Sequence, residues 1–134
     1  MALARLQGTD HQERWPCFEL FLKPEGGEGY FEFNFATTGE WAAYRFSGYR
    51  KGMEPLPAPL DFCISAHPWA DVDLLSVDLD LGFLPQGKAR LGISAIIAEV
   101  GGRRSYWALA HASGEPDFHN DACFMLEVAA AATP

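Results

Sequence analysis

The chain is short of positive charge and of cysteine, and it has no long apolar run and no stretch of sustained helical period. Each shortage removes a class of protein. Ten Lys and Arg stand against 18 Asp and Glu, a formal net charge of −8. That field repels a phosphate backbone, and no Lys/Arg stripe offsets it, so nucleic acid is a poor partner. Cys17, Cys63 and Cys123 are an odd set without CxxC spacing, which suggests neither a zinc cluster nor a disulfide framework. No apolar run approaches the ~18 residues of a membrane span. The opening MALARLQGTDHQERW lacks the apolar core of a signal peptide. The expectation is a soluble protein, cytoplasmic by default, with no membrane partner. GxSxG, HExxH and glycine-rich phosphate loops are missing as well, so nucleophilic and metalloprotease chemistry has no motif to rest on.

What is present is apolar and aromatic. Hydrophobic residues make up 49% of the 134, which argues against disorder, and ten Phe, four Tyr and four Trp favour strands. This length fits one domain. WPCFELFLK alternates, with Phe18, Leu20 and Leu22 on one side and Cys17, Glu19 and Phe21 on the other. In YFEFNF, Phe31, Phe33 and Phe35 are expected to face the core, and Tyr30, Glu32 and Asn34 to face outward. EWAAYRFSGYR, DFCISAH, VDLLSVDLDLGF and CFMLEV read as further strands, with ALARL as a possible first one and corners at residues 24–29, 68–71 and 113–117. Residues 51–59 carry three prolines and read as a surface loop. Short strands between Gly/Pro turns predict an all-β, antiparallel, jelly-roll-like β-sandwich of two sheets, with a closed barrel as the alternative.

The Gly101-Gly102 pair between ARLGISAIIAEV and RRSYWALAHA predicts a hairpin with a two-residue turn. That turn sets Ile97 opposite Tyr106, Ile96 opposite Trp107 and Glu99 opposite Arg104. It gives a core face of Leu91, Ile93, Ala95, Ile97, Tyr106 and Ala108. The other face mixes Arg90, Ser94, Ile96, Trp107, Leu109 and His111. On this mixed face Trp107 is a candidate to stack on a sugar ring, with Arg90 and His111 on its hydroxyls. A buried Trp107 is the competing expectation. Asp117, His119, Asn120 and Asp121 form a dense polar run that suits metal binding, hydrogen bonding to a ligand or ordinary turn chemistry, although no second half of a metal motif accompanies it. Asp78 and Asp80 share a strand face, as solvated carboxylates do.

The pattern YFEFNFATTGEWAAYRFSGYR, followed by YWALAH and PDFHNDACFMLE, resembles DOMON-like domains related to the family 9 carbohydrate-binding modules. Tyr30, Glu32, Phe33 and Gly39 carry the early part of the likeness, and Phe118, His119 and Phe124 the late part. It spans residues 15–128. Asp121 and Ala122 depart from the family's late segment. The resemblance implies a β-sandwich that binds a saccharide without catalysis, between tryptophans and polar side chains. It requires no cofactor, although calcium braces some relatives. Carried onto this chain, it names Trp107 as first stacking residue, Trp69 or Trp41 as second, and Arg90, His111 and His119 as hydrogen-bonding residues. Two alternatives stand beside it. One is a structural or protein-interaction sandwich with a lost sugar site, which predicts buried Trp41, Trp69 and Trp107. The other is a small enzyme acting on glycosides or a haem domain, which needs facing carboxylates or axial ligands such as Met53 with His111 or His119. Oligomeric state is left open.

Overall fold

The computed structural model describes residues 17–36, 40–56, 62–68, 73–84, 87–99 and 101–129. Among them are nine strands: β1 Cys17–Pro24, β2 Tyr30–Ala36, β3 Trp41–Phe46, β4 Glu54–Pro55, β5 Phe62–Pro68, β6 Asp73–Leu79, β7 Lys88–Ala98, β8 Arg104–Ala108 and β9 Leu126–Ala129. Seven form one antiparallel sheet in the order β4-β3-β2-β1-β7-β8, with β9 also paired to β7. β5 and β6 pair only with each other, as an antiparallel ribbon. The expected ALARL strand, the corner around Trp69 and the chain's last five residues lie outside the described residues.

Alternation assigns the side chains of the large sheet to two faces. Phe18, Leu20 and Leu22 of β1 share a face with Phe31, Phe33 and Phe35 of β2, with Trp41 and Ala43 of β3, and with Leu91, Ile93 and Ala95 of β7. Val77 and Leu79 of the ribbon, with Leu84, pack against the buried cluster on this side, which we call the ribbon face. Leu22 and Phe33 are fully enclosed there, each contributing roughly 1.5–3 kcal/mol by burial.

The opposite face departs from the sequence expectation. Tyr30, Glu32 and Asn34 do not point to solvent; all three are buried. The reason is the segment 109–125. β1 pairs along one edge of β7 from Ala89 to Ile96, so β8, on residues 94–98, and β9, on residues 88–91, lie end to end along its other edge. The chain between them leaves this edge at Leu109, crosses the sheet and returns at Leu126. We call it the strap. Phe118, Cys123 and Phe124 of the strap pack on Phe21, Tyr30, Ala42, Tyr44 and Phe46, making a second buried cluster. Gly92 permits the close approach, because a Cβ there would stand 2.8 Å from the Phe124 ring and 3.1 Å from the Cys123 carbonyl oxygen. The strap also explains why β8 stops at Ala108 and β9 starts at Leu126, where longer strands are expected from the sequence.

The hairpin forms with a register one residue away from expectation. Ile96 opposes Tyr106, Ala95 opposes Trp107 and Ala98 opposes Arg104. The turn closes on Glu99, whose N–H donates to the Arg103 carbonyl at 2.8 Å, while the Gly102 N–H donates to the Glu99 carbonyl at 3.1 Å. Gly101 and Gly102 both take positive φ, as expected. A one-residue slip exchanges faces. Trp107 therefore stands on the ribbon face with Ile93 and Ala95. Tyr106 and Ala108 stand on the strap face with Ser94 and Ile96.

Candidate functional site

The strap face places polar groups where a sheet normally packs apolar ones. Ser94, Glu19 and Asn34 form one cross-strand row over β7, β1 and β2, and Glu32 follows two residues before Asn34. Ser94, Glu32 and Asn34 are buried. Ser94 Oγ donates to Glu19 Oε1 at 3.5 Å. Burial, and then the neighbouring Glu32, push the Glu19 carboxyl up to about 8, so it holds its proton at neutral pH. The Cys17 thiol is pushed up to about 12 by burial, then by Glu19 and Glu32, and burial also raises Cys123. Neither free cysteine is an activated nucleophile. Asn34 is 1% exposed, and neither its Oδ1 nor its Nδ2 has a hydrogen-bond partner among the described residues. Leaving such groups unpaired costs about 1–3 kcal/mol.

His119 ties the strap to this row. Its Nδ1 lies 2.8 Å from the Tyr30 hydroxyl, and its Nε2 lies 3.8 Å from Glu32 Oε2. The ring packs edge-on against Phe21 and Phe46 at centroid distances of 4.9 and 5.1 Å. Burial holds His119 below its ordinary value, against the pull of Glu32. The early and late segments of the sequence pattern thus meet across the sheet, through Tyr30, Glu32, His119 and Phe124.

Two ionic clamps hold the strap on either side of His119. Arg50 Nη2 donates to Asp117 Oδ1 at 2.7 Å, and the Tyr49 hydroxyl donates to Asp117 Oδ2. Against the opposing effect of burial, these bonds hold the Asp117 carboxyl below its usual range. Arg50 reaches this position with φ at +52°, an uncommon region for a non-glycine residue, and its N–H donates to the Tyr30 hydroxyl at 3.1 Å. The second clamp is Asp121, whose Oδ1 accepts from Arg90 at 2.6 Å and from Lys23 at 2.9 Å. Those two cations depress its carboxyl. The Asn120 side chain accepts from the Ala122 N–H and caps the single 3₁₀ turn Asp121–Cys123.

These contacts leave two recesses that share His119 as a wall. The outer one is an open cleft of about 410 Å³ lined by Lys23, Glu28, Tyr30, Tyr49, His119, Asn120, Asp121 and Phe124. Tyr49 is 52% exposed, and the Arg50 guanidinium lies 5.8 Å from its ring centroid. The inner one is a half-open recess of about 230 Å³ between strap and sheet, whose walls are Cys17, Glu19, Glu32, Arg50, Arg104 and His119 together with Ile96, Tyr106, Pro116 and Phe118.

The residues singled out from the sequence are divided by this geometry. His119 and Arg90 belong to the strap-face site, Arg90 as the anchor of Asp121. His111 is exposed beyond the end of β8, its ring 5.6 Å from that of Phe118. Trp107 is 64% exposed but on the opposite face, so it does not share a surface with Arg90. Trp41 is 7% exposed and part of the ribbon-face core, which removes it as a stacking platform. Trp69 lies outside the described residues. Tyr49, Glu19 and Asn34 were missed as site residues. The available signal was the placing of Cys17 and Phe21 on the same strand face as Glu19, a mixture that a solvated face rarely carries.

For calcium, the described residues contain no group of three or more His, Cys, Asp or Glu arranged to hold a metal ion. Asp117 and Asp121 are already committed to cationic side chains, so the donor set does not fit. Among the described residues no helix is long and apolar enough to cross a membrane. Comparison with protein families, with curated proteins and with solved structures finds no match to this chain.

Proposed function

We propose that the chain is a non-catalytic saccharide-binding module, built as a two-layer β-sandwich in which the β5–β6 ribbon belongs to the second layer. The observation that carries the reading is the outer cleft: an exposed Tyr49 ring beside a ring of fixed polar side chains. A sugar offers an apolar ring face for an aromatic platform and hydroxyls for charged or amide groups. Tyr49 supplies the platform and is held by Asp117. Lys23, His119, Asn120 and Asp121 supply donors and acceptors at the rim. Lys23 and Asp121 are already ion-paired, so less side-chain freedom is lost when a ligand binds. The cleft volume lies in the range of about 300–1,000 Å³ common for small-molecule sites. Trp107 has no role in this site.

The test is a calorimetric titration with mono- and oligosaccharides on three proteins: the parent, Tyr49→Ala and Trp107→Ala. Saturable binding that is lost in Tyr49→Ala and kept in Trp107→Ala is the expected result. A flat titration of the parent across the sugar panel overturns the reading.

A further inference from the structure

The β5–β6 ribbon covers only part of the face on which it lies. Val77, Leu79 and Leu84 pack on the cluster to which Leu91 of β7 belongs as a partly buried member. Beyond Leu91, toward β8, large apolar side chains of the same face are exposed: Ile93 by 45%, Leu109 by 52% and Trp107 by 64%, with Leu126 of β9 at 40%. Register puts all four on one side of the sheet. Leu91 opposes Leu126, Ala95 opposes Trp107, and the Leu109 N–H donates to the Ile93 carbonyl at 3.2 Å. Ile97 with Ser105, and Ala89 with Val128, continue the strip in both directions. From Ser105 to Val128 it holds no charged side chain, in a chain that is 21% charged. A continuous exposed apolar surface of this kind marks an interface.

The strip is complementary to a second copy of itself. Consider two copies face to face at the ~10 Å of packed sheets, related by a two-fold axis that runs along the strands between β7 and β8. Each cross-strand pair then meets its own reverse. Trp107 lies over Ala95 of the second copy, a large ring over a methyl group, and Ile93 lies over its Leu109. The Trp107 indole is already oriented, its Nε1 donating to Ser105 Oγ at 3.0 Å. At the turn end of the strip Glu99 opposes Arg103. Both are exposed, and neither makes an ion pair among the described residues. The same axis brings Glu99 of each copy over Arg103 of the other, two reciprocal pairs of opposite charge, as an isologous interface requires. Pairing of β8 edge to edge would instead leave Ile93, Trp107 and Leu109 in water.

We propose that the ribbon-face strip of β7, β8 and β9, centred on Trp107, is a homodimer interface in which two copies pack face to face about a two-fold axis along the strands. The Tyr49 clefts open on the opposite face, so both stay accessible in the dimer, and the interface does not depend on what they bind.

Sedimentation equilibrium of the full chain between ~1 µM and ~1 mM is expected to show a reversible monomer–dimer equilibrium. A monomer at every concentration overturns the proposal. Trp107→Ala, shown to be folded by its circular dichroism spectrum, is expected to weaken association roughly tenfold or more, as loss of a central aromatic anchor does. An unchanged dissociation constant overturns the proposal. Glu99→Arg and Arg103→Glu change exposed residues only, and each sets like charges across the axis, so each alone is expected to weaken association roughly threefold or more. An equimolar mixture of those two variants makes both reciprocal pairs attractive again and is expected to associate as the parent does. A mixture that associates no better than either variant alone overturns the face-to-face arrangement.

Discussion

Glu19 shows how much of the strap face depends on one proton. Its carboxyl is raised from 4.5 to about 8, chiefly by burial and then by Glu32. Between those values the folded chain keeps a proton that the unfolded chain has released. Its contribution to stability is therefore complete below 4.5 and disappears as pH rises through about 8. His119 acts with the opposite slope: its value is lowered on folding, so its contribution is present above its ordinary value and lost as pH falls. The two overlap in the parent protein, and a comparison with Glu19→Gln isolates the first. Thermal melts of Glu19→Gln are expected to lose the decline in Tm between pH 5 and 8 that the parent shows relative to it. The variant should be the more stable of the two at pH 9. Parallel curves for the two proteins would mean that Glu19 titrates normally.

The strap is the element that sequence reading could not supply. Strand alternation in β1, β2 and β3 was legible because Phe18, Leu20 and Leu22, then Phe31, Phe33 and Phe35, then Trp41 and Ala43, each sit at a period of two. The burial of the intervening residues was not, since it depends on a loop 80 residues or more later in the chain folding over them. Gly92 looked like an unremarkable strand residue for the same reason. Its role is steric: β7 must offer no side chain where Phe124 and the Cys123 carbonyl settle. Gly92→Ala is expected to destabilise the chain by about 1–3 kcal/mol, the usual cost of overpacking, measured by urea denaturation. The same variant should increase amide exchange within residues 117–124 more than in β2. A neutral Gly92→Ala would mean the strap yields without cost. Trp107 makes the complementary point about the hairpin. Both positive-φ glycines are legible in the sequence, yet the residue on which the turn closes is not, and that single position decides which face the tryptophan occupies.

At the scale of the whole molecule, an all-β antiparallel chain was readable from composition and turn spacing, whereas the gathering of seven strands into one large sheet, where two sheets are expected, was not. Nor was the order of its strands. Consecutive strands β1, β2, β3 and β4 pair as a simple meander, but the central partner of β1 is β7. Period and propensity are local, whereas this pairing is selected by which apolar faces remain uncovered. The expectation that the polar residues of YFEFNF face water failed for the same reason, because solvent access is a property of the assembled chain.

The β1–β7 pairing also fixes the time at which this protein can become itself. Its partners lie about 65 to 80 residues apart, so the meander of β1 to β4 leaves the ribosome well before the strand that closes beside it. Until β7 emerges, β1 is an edge strand with Phe18, Leu20 and Leu22 on one side, the kind of edge that pairs with other chains. Pairing at such separation slows folding to the millisecond-to-second range typical of sheet proteins. Stopped-flow refolding is expected to show β1 and β7 becoming protected together, on that timescale, with the strap closing afterwards. Nascent chains arrested before Lys88 should be held in solution by chaperones, whereas chains released past Ala129 should not need them.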